Sequence, residues 1–559
     1  MEATEYIYVF KIADYYVIGA YIALLLSIGF VAKRFCSGVE DFFVGGRRMP
    51  WWLAGASVFM ASFSAWTFTG AAGFAYKHGI LMILLLTFTG FALFFAGTFI
   101  AHKCRQTRKF TAAQIIHSRF GRSAEQFFVW ISVPNMLFGG AIWMMGLGTF
   151  LSVAFGIPIT VTILVAGGII MLYSTLSGTW AVAFSDFLQS LILLVLSVTI
   201  FTLTLIKTDG FSGLVSRLEP GHLSITSAEH SWFWIIAYFS QVFLIFNSIG
   251  GATRFLSVKD GGSARKAAYL AASLFMIGPI IWLTPPIAAS FLFPDLETLL
   301  PGLNHSQDAA YAVMGLTLLP AGLAGLLVMV IFAATLSSMD TAINQNAGII
   351  TYNIYKPFLR PNANNRELFI VSRVANLFCG LFVTIAALLL SQQKEFALFD
   401  LMLILSSVVA LPIAIPFFLM YWVRWTPPWS AVVSMLLGAT WSFITFKLEM
   451  DFPLRVFGTI TVGVLSFLSC GVFWKIISTD ARAFVRSFYN TMDKAIDVAT
   501  EVTGLSELGH LKVVGILAMV VGFGLFCVVL FPHPVFDRIV ITCVSCVLML
   551  FGYWMRRVC

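Results

Sequence analysis

Fifteen apolar runs of about twenty residues, from Tyr15–Ala32 to Ile539–Met555, dictate what this chain can fold into. A run of that length spans the hydrocarbon core of a bilayer as one helix. No water is available there to satisfy backbone amides, so such runs must be helical. Only 11% of the residues are charged and 59% are hydrophobic, whereas a soluble domain carries about 25% charged residues. Too few charges remain to solvate the surface of a soluble fold. The expected fold class is an all-α polytopic membrane protein with about 15 transmembrane helices, which excludes a soluble enzyme.

Basic residues set the expected orientation, because Lys and Arg stay on the cytoplasmic side. With the N-terminus outside, 26 of the 34 Lys and Arg fall in inside loops and eight fall outside. An odd number of spans then puts the C-terminus in the cytoplasm. This bias accounts for the basic loops without any nucleic-acid partner. Met1–Asp14 has two Glu and lacks the basic start of a signal peptide, so the first run reads as a retained helix. The eight cysteines fall mostly in apolar runs or inside loops, which argues against a disulfide framework or a metal centre.

The expected organisation has seven parts. Residues 1–50 hold an extra helix and a cytoplasmic loop, and 51–206 hold five helices. Residues 207–230 form an external loop, 231–424 hold five further helices, and 425–477 hold two extra helices. Residues 478–512 are a cytoplasmic linker, and 513–559 hold two C-terminal helices. In the linker, Phe484, Phe488, Met492 and Ile496 recur every four residues. That pattern fits a helix lying in the membrane interface or one packed beneath the bundle. Asn304-His305-Ser306 is a glycosylation triplet in an external loop.

Transporters built from inverted repeats break helices with small residues near the membrane midplane. The second run, Trp51–Tyr76, is rich in small and hydroxyl residues between Gly55 and Gly73. The seventh, Phe233–Gly250, ends in Asn247-Ser248-Ile249-Gly250-Gly251. The two lie five runs apart, so they cross in opposite directions. Two inverted five-helix units would produce this spacing. Small residues that merely let helices pack closely would produce the same composition.

A carboxylate within the membrane costs about 2.5–3.5 kcal/mol even on lenient scales. Asp186 in the sixth run and Asp340 in the ninth therefore call for a role. On a helix, Ala334, Ser337, Ser338, Asp340, Thr341 and Asn344 share one face. Hydroxyl, carbonyl and carboxylate oxygens suit a hard cation such as sodium. Asp186 alone is also explained by a pair with a basic residue at the inner surface. No Lys or Arg sits at the centre of a run, and no nucleophile–base set points to an enzyme.

Several segments then carry a family resemblance. Glu40-Asp41-Phe42-Phe43-Val44-Gly45-Gly46-Arg47-Arg48-Met49-Pro50-Trp51-Trp52 and Gly70-Ala71-Ala72-Gly73-Phe74-Ala75-Tyr76 are two of them. Ala181-Val182 with Asp186 and Gln189 is a third. Arg254-Phe255-Leu256-Ser257-Val258-Lys259 and Thr351-Tyr352-Asn353-Ile354-Tyr355-Lys356 complete the set. In this order, from about Tyr15 to Pro428, they resemble the sodium:solute symporter family. The resemblance implies a five-plus-five inverted-repeat core of the leucine-transporter type, with one N-terminal and four C-terminal extra helices.

It also implies a first sodium site from the carbonyls of Ala61, Ser64 and Ala334 and the hydroxyls of Ser337 and Ser338. A second cation site would fall on Asp186, Asp340 and Thr341. Sialic-acid-type members carry Ser where this chain has Asp340, and the extra carboxylate fits either a stronger sodium site or a proton shared with Asp186. Phe63 and Phe275 stand where glucose-type members carry polar residues, which disfavours a glucose-like binding mode. Candidate solute contacts are Phe63, Trp66, Phe68, Gln241, Phe243, Asn247, Ser248, Ser406 and Ser407.

The expected activity is sodium-coupled symport of a small organic solute (sugar, amino acid, carboxylate or amine) across a cell membrane. Sodium is the co-substrate, and no other cofactor is expected. A proton-coupled carrier using Asp186 and Asp340 and a transporter-like sensor are the alternatives. The lack of a sensory kinase segment after the last run counts against the sensor.

Overall fold

The computed structural model describes residues 8–32, 47–174, 179–502 and 507–557. Lys33, Arg34, Ser177, Gly178 and the Glu40-to-Gly46 part of the first motif lie outside them. Among the described residues the chain is helical, with one isolated bridge between Met49 and Val258. The first half runs through α1 (Ile12–Ala32), α2 (Trp51–Ala61), α3 (Ala65–Phe68) and α4 (Gly70–His78). It continues with α5 (Leu81–Phe95), α6 (Ala112–Phe155), α7 (Ile159–Ser174) and α8 (Thr179–Lys207). The second half holds α9 (Trp232–Phe246), α10 (Gly261–Leu292), α11 (Leu323–Ile349), α12 (Asn365–Gln392), α13 (Leu398–Leu405) and α14 (Leu411–Leu419). Beyond it lie α15 (Ser430–Lys447), α16 (Phe452–Ser469), α17 (Thr479–Met492), α18 (Glu507–Val528) and α19 (Val535–Arg557).

Eleven described helices are long and apolar enough to cross a membrane, or twelve if the bent pair formed by α2 with α3 and α4 counts as one crossing. The first, fifth and seventh expected runs fall on the shorter apolar helices Ile12–Leu25, Ile159–Ser174 and Trp232–Phe246. The second run is bent by 58° at residues 62–64. Hydroxyls of Ser64 and of Thr335 on α11 hold the bend. Ser64 is extended and its side chain accepts from the Trp66 amide at 3.3 Å. The Ala65 amide donates to Thr335 Oγ1 of α11 at 2.9 Å rather than to a carbonyl of its own helix. The seventh run also stops early. Asn247 caps α9, Ser248 is extended, and a 3-10 turn covers Ile249–Ser257.

α11 runs through the middle of the bundle, and Leu323 to Asp340 is buried without interruption. Its N-terminus is capped by a residue more than 300 positions away. The buried Asp14 Oδ1 accepts from the amides of Gly322 at 2.6 Å and Gly325 at 2.9 Å. A carboxylate there satisfies orphan donors and faces the positive end of the helix dipole. α1 packs along α11 as a result.

The linker helix α17 follows the second of its two expected placements and docks beneath the bundle. Val485, Phe488, Tyr489 and Met492 are buried. The Tyr489 hydroxyl donates to the carbonyls of Met420 and Val423, both at 2.8 Å, and accepts from buried Arg119 at 2.9 Å. The side-chain amide of Asn304, in the glycosylation triplet, donates to the carbonyls of Ser391 and Gln393.

Candidate substrate and cation site

A cavity of about 1020 Å³ lies against the break in the second span. At one end it is lined by Trp66, Thr67, Tyr238, Gln241, Phe399 and Ser406, and at the other by Phe110, Gln114, Glu125, Arg254 and Asn353. The first end is shut by aromatic packing. Phe399 lies 4.1 Å from Phe74 and 6.2 Å from Trp66, centroid to centroid. The Trp66 indole donates to the Leu398 carbonyl at 3.1 Å. The cavity therefore reaches the end of the bundle that carries the Thr107–Thr111 loop.

The oxygen-bearing face of α11 divides its work residue by residue. Ser338 Oγ lies 3.0 Å from the Phe63 carbonyl and 3.3 Å from that of Met60, on the break itself. Ser337, one residue earlier, turns away and donates to Asp186 Oδ1. The other oxygen of Asp186 accepts from Ser57 at 2.6 Å. Ala61, Ser64 and Ser338 line the cavity; Ala334 is fully buried in the adjoining turn, where its carbonyl lies 3.4 Å from Ser338 Oγ.

Asp340 accepts from Asn344 at 2.8 Å, and Asn344 accepts from Asn376 at 2.5 Å. Thr341 accepts from Arg254 at 2.9 Å. Arg254, Ser57 and Thr335 were not among the expected site residues. Thr335 was legible, since it sits three residues before Ser338 on the same face. Arg254 opens one of the motif segments, but a loop position hides which side chain it will meet.

Of the nine expected solute contacts, Phe63, Trp66, Gln241 and Ser406 line the cavity. The Gln241 amide nitrogen donates to Ser406 at 2.9 Å, and its carbonyl oxygen is buried without a partner. The other five point elsewhere. Phe68 is fully buried against Phe63 and Tyr311. Phe243 packs outward on Phe95 and Phe418. Asn247 is used to cap α9 and to reach the Ala92 carbonyl. Ser248 donates back to Ile245, and Ser407 donates to Ile404 while its carbonyl accepts from Ser442. In each case local packing or a backbone carbonyl claims the side chain. Tyr238, Phe275 and Phe399 supply the missing walls.

Beside the closed end, Asp308 is buried between spans. Burial pushes its carboxyl up to about 7; the Leu398 amide opposes this, Asp400 adds to it, and Lys77 opposes it.

Residues 42–438 match the sequence profile of the Sodium:solute symporter family. A sodium/glucose cotransporter of Vibrio parahaemolyticus is 26% identical over 400 residues, covering 65% of this chain and 72% of that one. Sodium/myo-inositol cotransporter 2 of Sus scrofa is 24% identical over 509 residues, covering 79% and 71%. A sodium/sialic acid symporter of Proteus mirabilis (strain HI4320) is 24% identical over 486 residues, covering 81% and 95%. The fold is similar to that of a Na+-coupled sialic acid symporter solved substrate-bound and outward-open. That match has a TM-score of 0.69 at 21% identity and covers 84% of this chain and 99% of the other. A nucleobase-cation-symport-1 family transporter in a closed conformation matches with a TM-score of 0.52 at 16% identity, covering 81% and 99%.

Proposed function

The chain belongs to the sodium:solute symporter family, and on that premise we propose that it carries a small organic solute into the cell with sodium, by alternating access. The observation that carries this reading is the contact of Ser338 with the Phe63 and Met60 carbonyls at the wall of the cavity. A cation held by Ala61, Ser64, Ala334 and Ser338, with Ser337 acting through Asp186, would order the break and complete the solute site beside it. Asp186, Asp340 and Thr341 form a second cation site. Residues 51–206 and 231–424 act as two inverted five-helix units, fifteen helices cross the membrane in all, and the C-terminus is cytoplasmic.

The cavity then faces inward and is closed to the outside by Phe399. Its aromatic walls and the unpaired Gln241 carbonyl suit a compact solute with a flat apolar face and a hydrogen-bond donor. Polyol, sugar and sugar-acid solutes are the first to test, since the relatives carry glucose, myo-inositol and sialic acid. One charge crossing 100 mV contributes about 2.3 kcal/mol, enough for about fifty-fold accumulation.

The test is thermal stabilisation of the purified chain by sodium, followed by solute screening with and without sodium and by uptake into proteoliposomes. Sodium should stabilise the wild type where potassium does not, and Ser337→Ala with Ser338→Ala should abolish both stabilisation and sodium-stimulated uptake. Equal stabilisation by potassium, or unchanged uptake by the double variant, would sink the assignment.

A further inference from the structure

Beside the closed end of the cavity lies a cluster that is not part of its lining. His78 ends α4, and Glu229 and His230 lie just before α9. One ligating atom from each lies within 4.8 Å of the other two. His78 is half-buried, Glu229 is exposed and His230 is buried. Two imidazoles and a carboxylate, with a fourth position left to water, form a ligand set that suits zinc and its neighbours.

The local structure already prepares one ligand. His230 Nδ1 lies 3.1 Å from Ser227 Oγ, so ligation falls to Nε2 with Ser227 orienting the ring. The Glu229 carboxylate makes no hydrogen bond among the described residues. Tetrahedral zinc would bring the ligand atoms to about 3.3 Å from one another. The exposed Glu229 and half-buried His78 can close that gap by rotamer change.

The cluster also touches the closure. Phe74 lies 4.3 Å from His78, 5.3 Å from His230 and 4.1 Å from Phe399, which shuts the cavity. His230 contacts Trp234, and Trp234 stacks on Tyr238, a cavity wall.

We propose that His78, Glu229 and His230 bind a zinc-class divalent ion, which ties α4 to the segment before α9 and holds this end of the cavity shut. The binding itself does not depend on the transport reading.

Titration of the tag-free purified chain with Co2+ tests it. The wild type should show one saturable site with the ligand-field bands of four-coordinate nitrogen and oxygen ligation, and Zn2+ should displace it. Glu229→Gln, an exposed change, and His78→Asn should each weaken binding by more than about tenfold, the scale on which even outer-shell losses act. Hydrogen exchange across residues 222–231 should slow when Zn2+ is added to the wild type and not to Glu229→Gln. Three results overturn the proposal: no saturable band; a band unchanged in the Glu229→Gln, His78→Asn double variant; or thiolate charge-transfer bands, which would place the metal on Cys543 and Cys546, three residues apart in α19. If Co2+ binds as expected while sodium has no effect on the chain, the metal site stands and the symport reading falls.

Discussion

The carboxyl group of Asp308 fills the space that a side chain at Gly73 would need. A Cβ at position 73 would overlap Oδ1 and come within 3.0 Å of the Asp308 Cα and 3.1 Å of its nitrogen. The α4 half of the broken span is thereby seated directly on the short 3-10 turn Ser306–Ala309. Gly73→Ala should force the two apart. Because the obstacle is backbone as well as side chain, Asp308→Ala should restore only part of the loss. Thermal melting of both single variants and the double variant in detergent checks this, and full rescue by Asp308→Ala would refute the backbone part of the argument.

Asp308 also sets a pH dependence. Its carboxyl is raised by burial from an ordinary carboxylate value to about 7. The folded chain therefore holds this proton more tightly than the unfolded chain does. The stability that results is fully present below pH 4 and is lost as pH rises through about 7. Melting temperature should fall from about pH 4.5 to about pH 7.5 in the wild type and level off above that. Asp308→Asn should flatten that slope and melt higher than the wild type at pH 8.5. A slope unchanged by the substitution would show that another group governs it.

Asp14 should prove a stability residue. Asp14→Ala leaves the Gly322 and Gly325 amides without their acceptor and removes a negative charge from the N-terminus of α11. The expected cost is about 2–3 kcal/mol, read as a lower unfolding midpoint with sodium-dependent stabilisation retained. Loss of the sodium response at normal stability would contradict a purely structural role.

Tyr489→Phe deletes the hydroxyl that joins Met420, Val423 and Arg119. Two carbonyls and a buried guanidinium lose a partner, at an expected cost of about 1–3 kcal/mol. Limited proteolysis should then cut within residues 478–502 sooner, with the spans intact. Unchanged digestion would mean that apolar packing of Val485, Phe488 and Met492 alone holds α17.

Ser337 and Ser338 should separate in sodium titrations. Ser338→Ala removes the hydroxyl facing the break and should raise the sodium concentration for half-maximal thermal stabilisation by about tenfold, a change of about 1.4 kcal/mol. Ser337→Ala acts through Asp186 and should have the smaller effect at this site. The reverse order would move the cation from the break to Asp186.

Apolar run length and small-residue clusters make most of the helices and both interruptions legible in the sequence. The division between Ser337 and Ser338 was not legible, because neighbours 100° apart on a helix meet different partners once a second helix arrives. Position was likewise blind for Phe68 and Phe243. An aromatic in an apolar span can face a cavity, another helix or lipid, and only packing decides among them. Asp14 and Tyr489 depended on partners hundreds of residues or a whole segment away. The periodicity of α17 signalled an amphipathic helix without saying whether protein or lipid would cover its apolar side.

The contact between Ser338 and the Phe63 carbonyl bears on the proposed transport cycle. The return step of such a carrier runs without its cation, and carbonyls left without any partner would then penalise it. The Ser338 hydroxyl lies within hydrogen-bond reach of the Phe63 and Met60 oxygens. On the proposed reading it would keep them partnered through that step and yield the seat to the next cation.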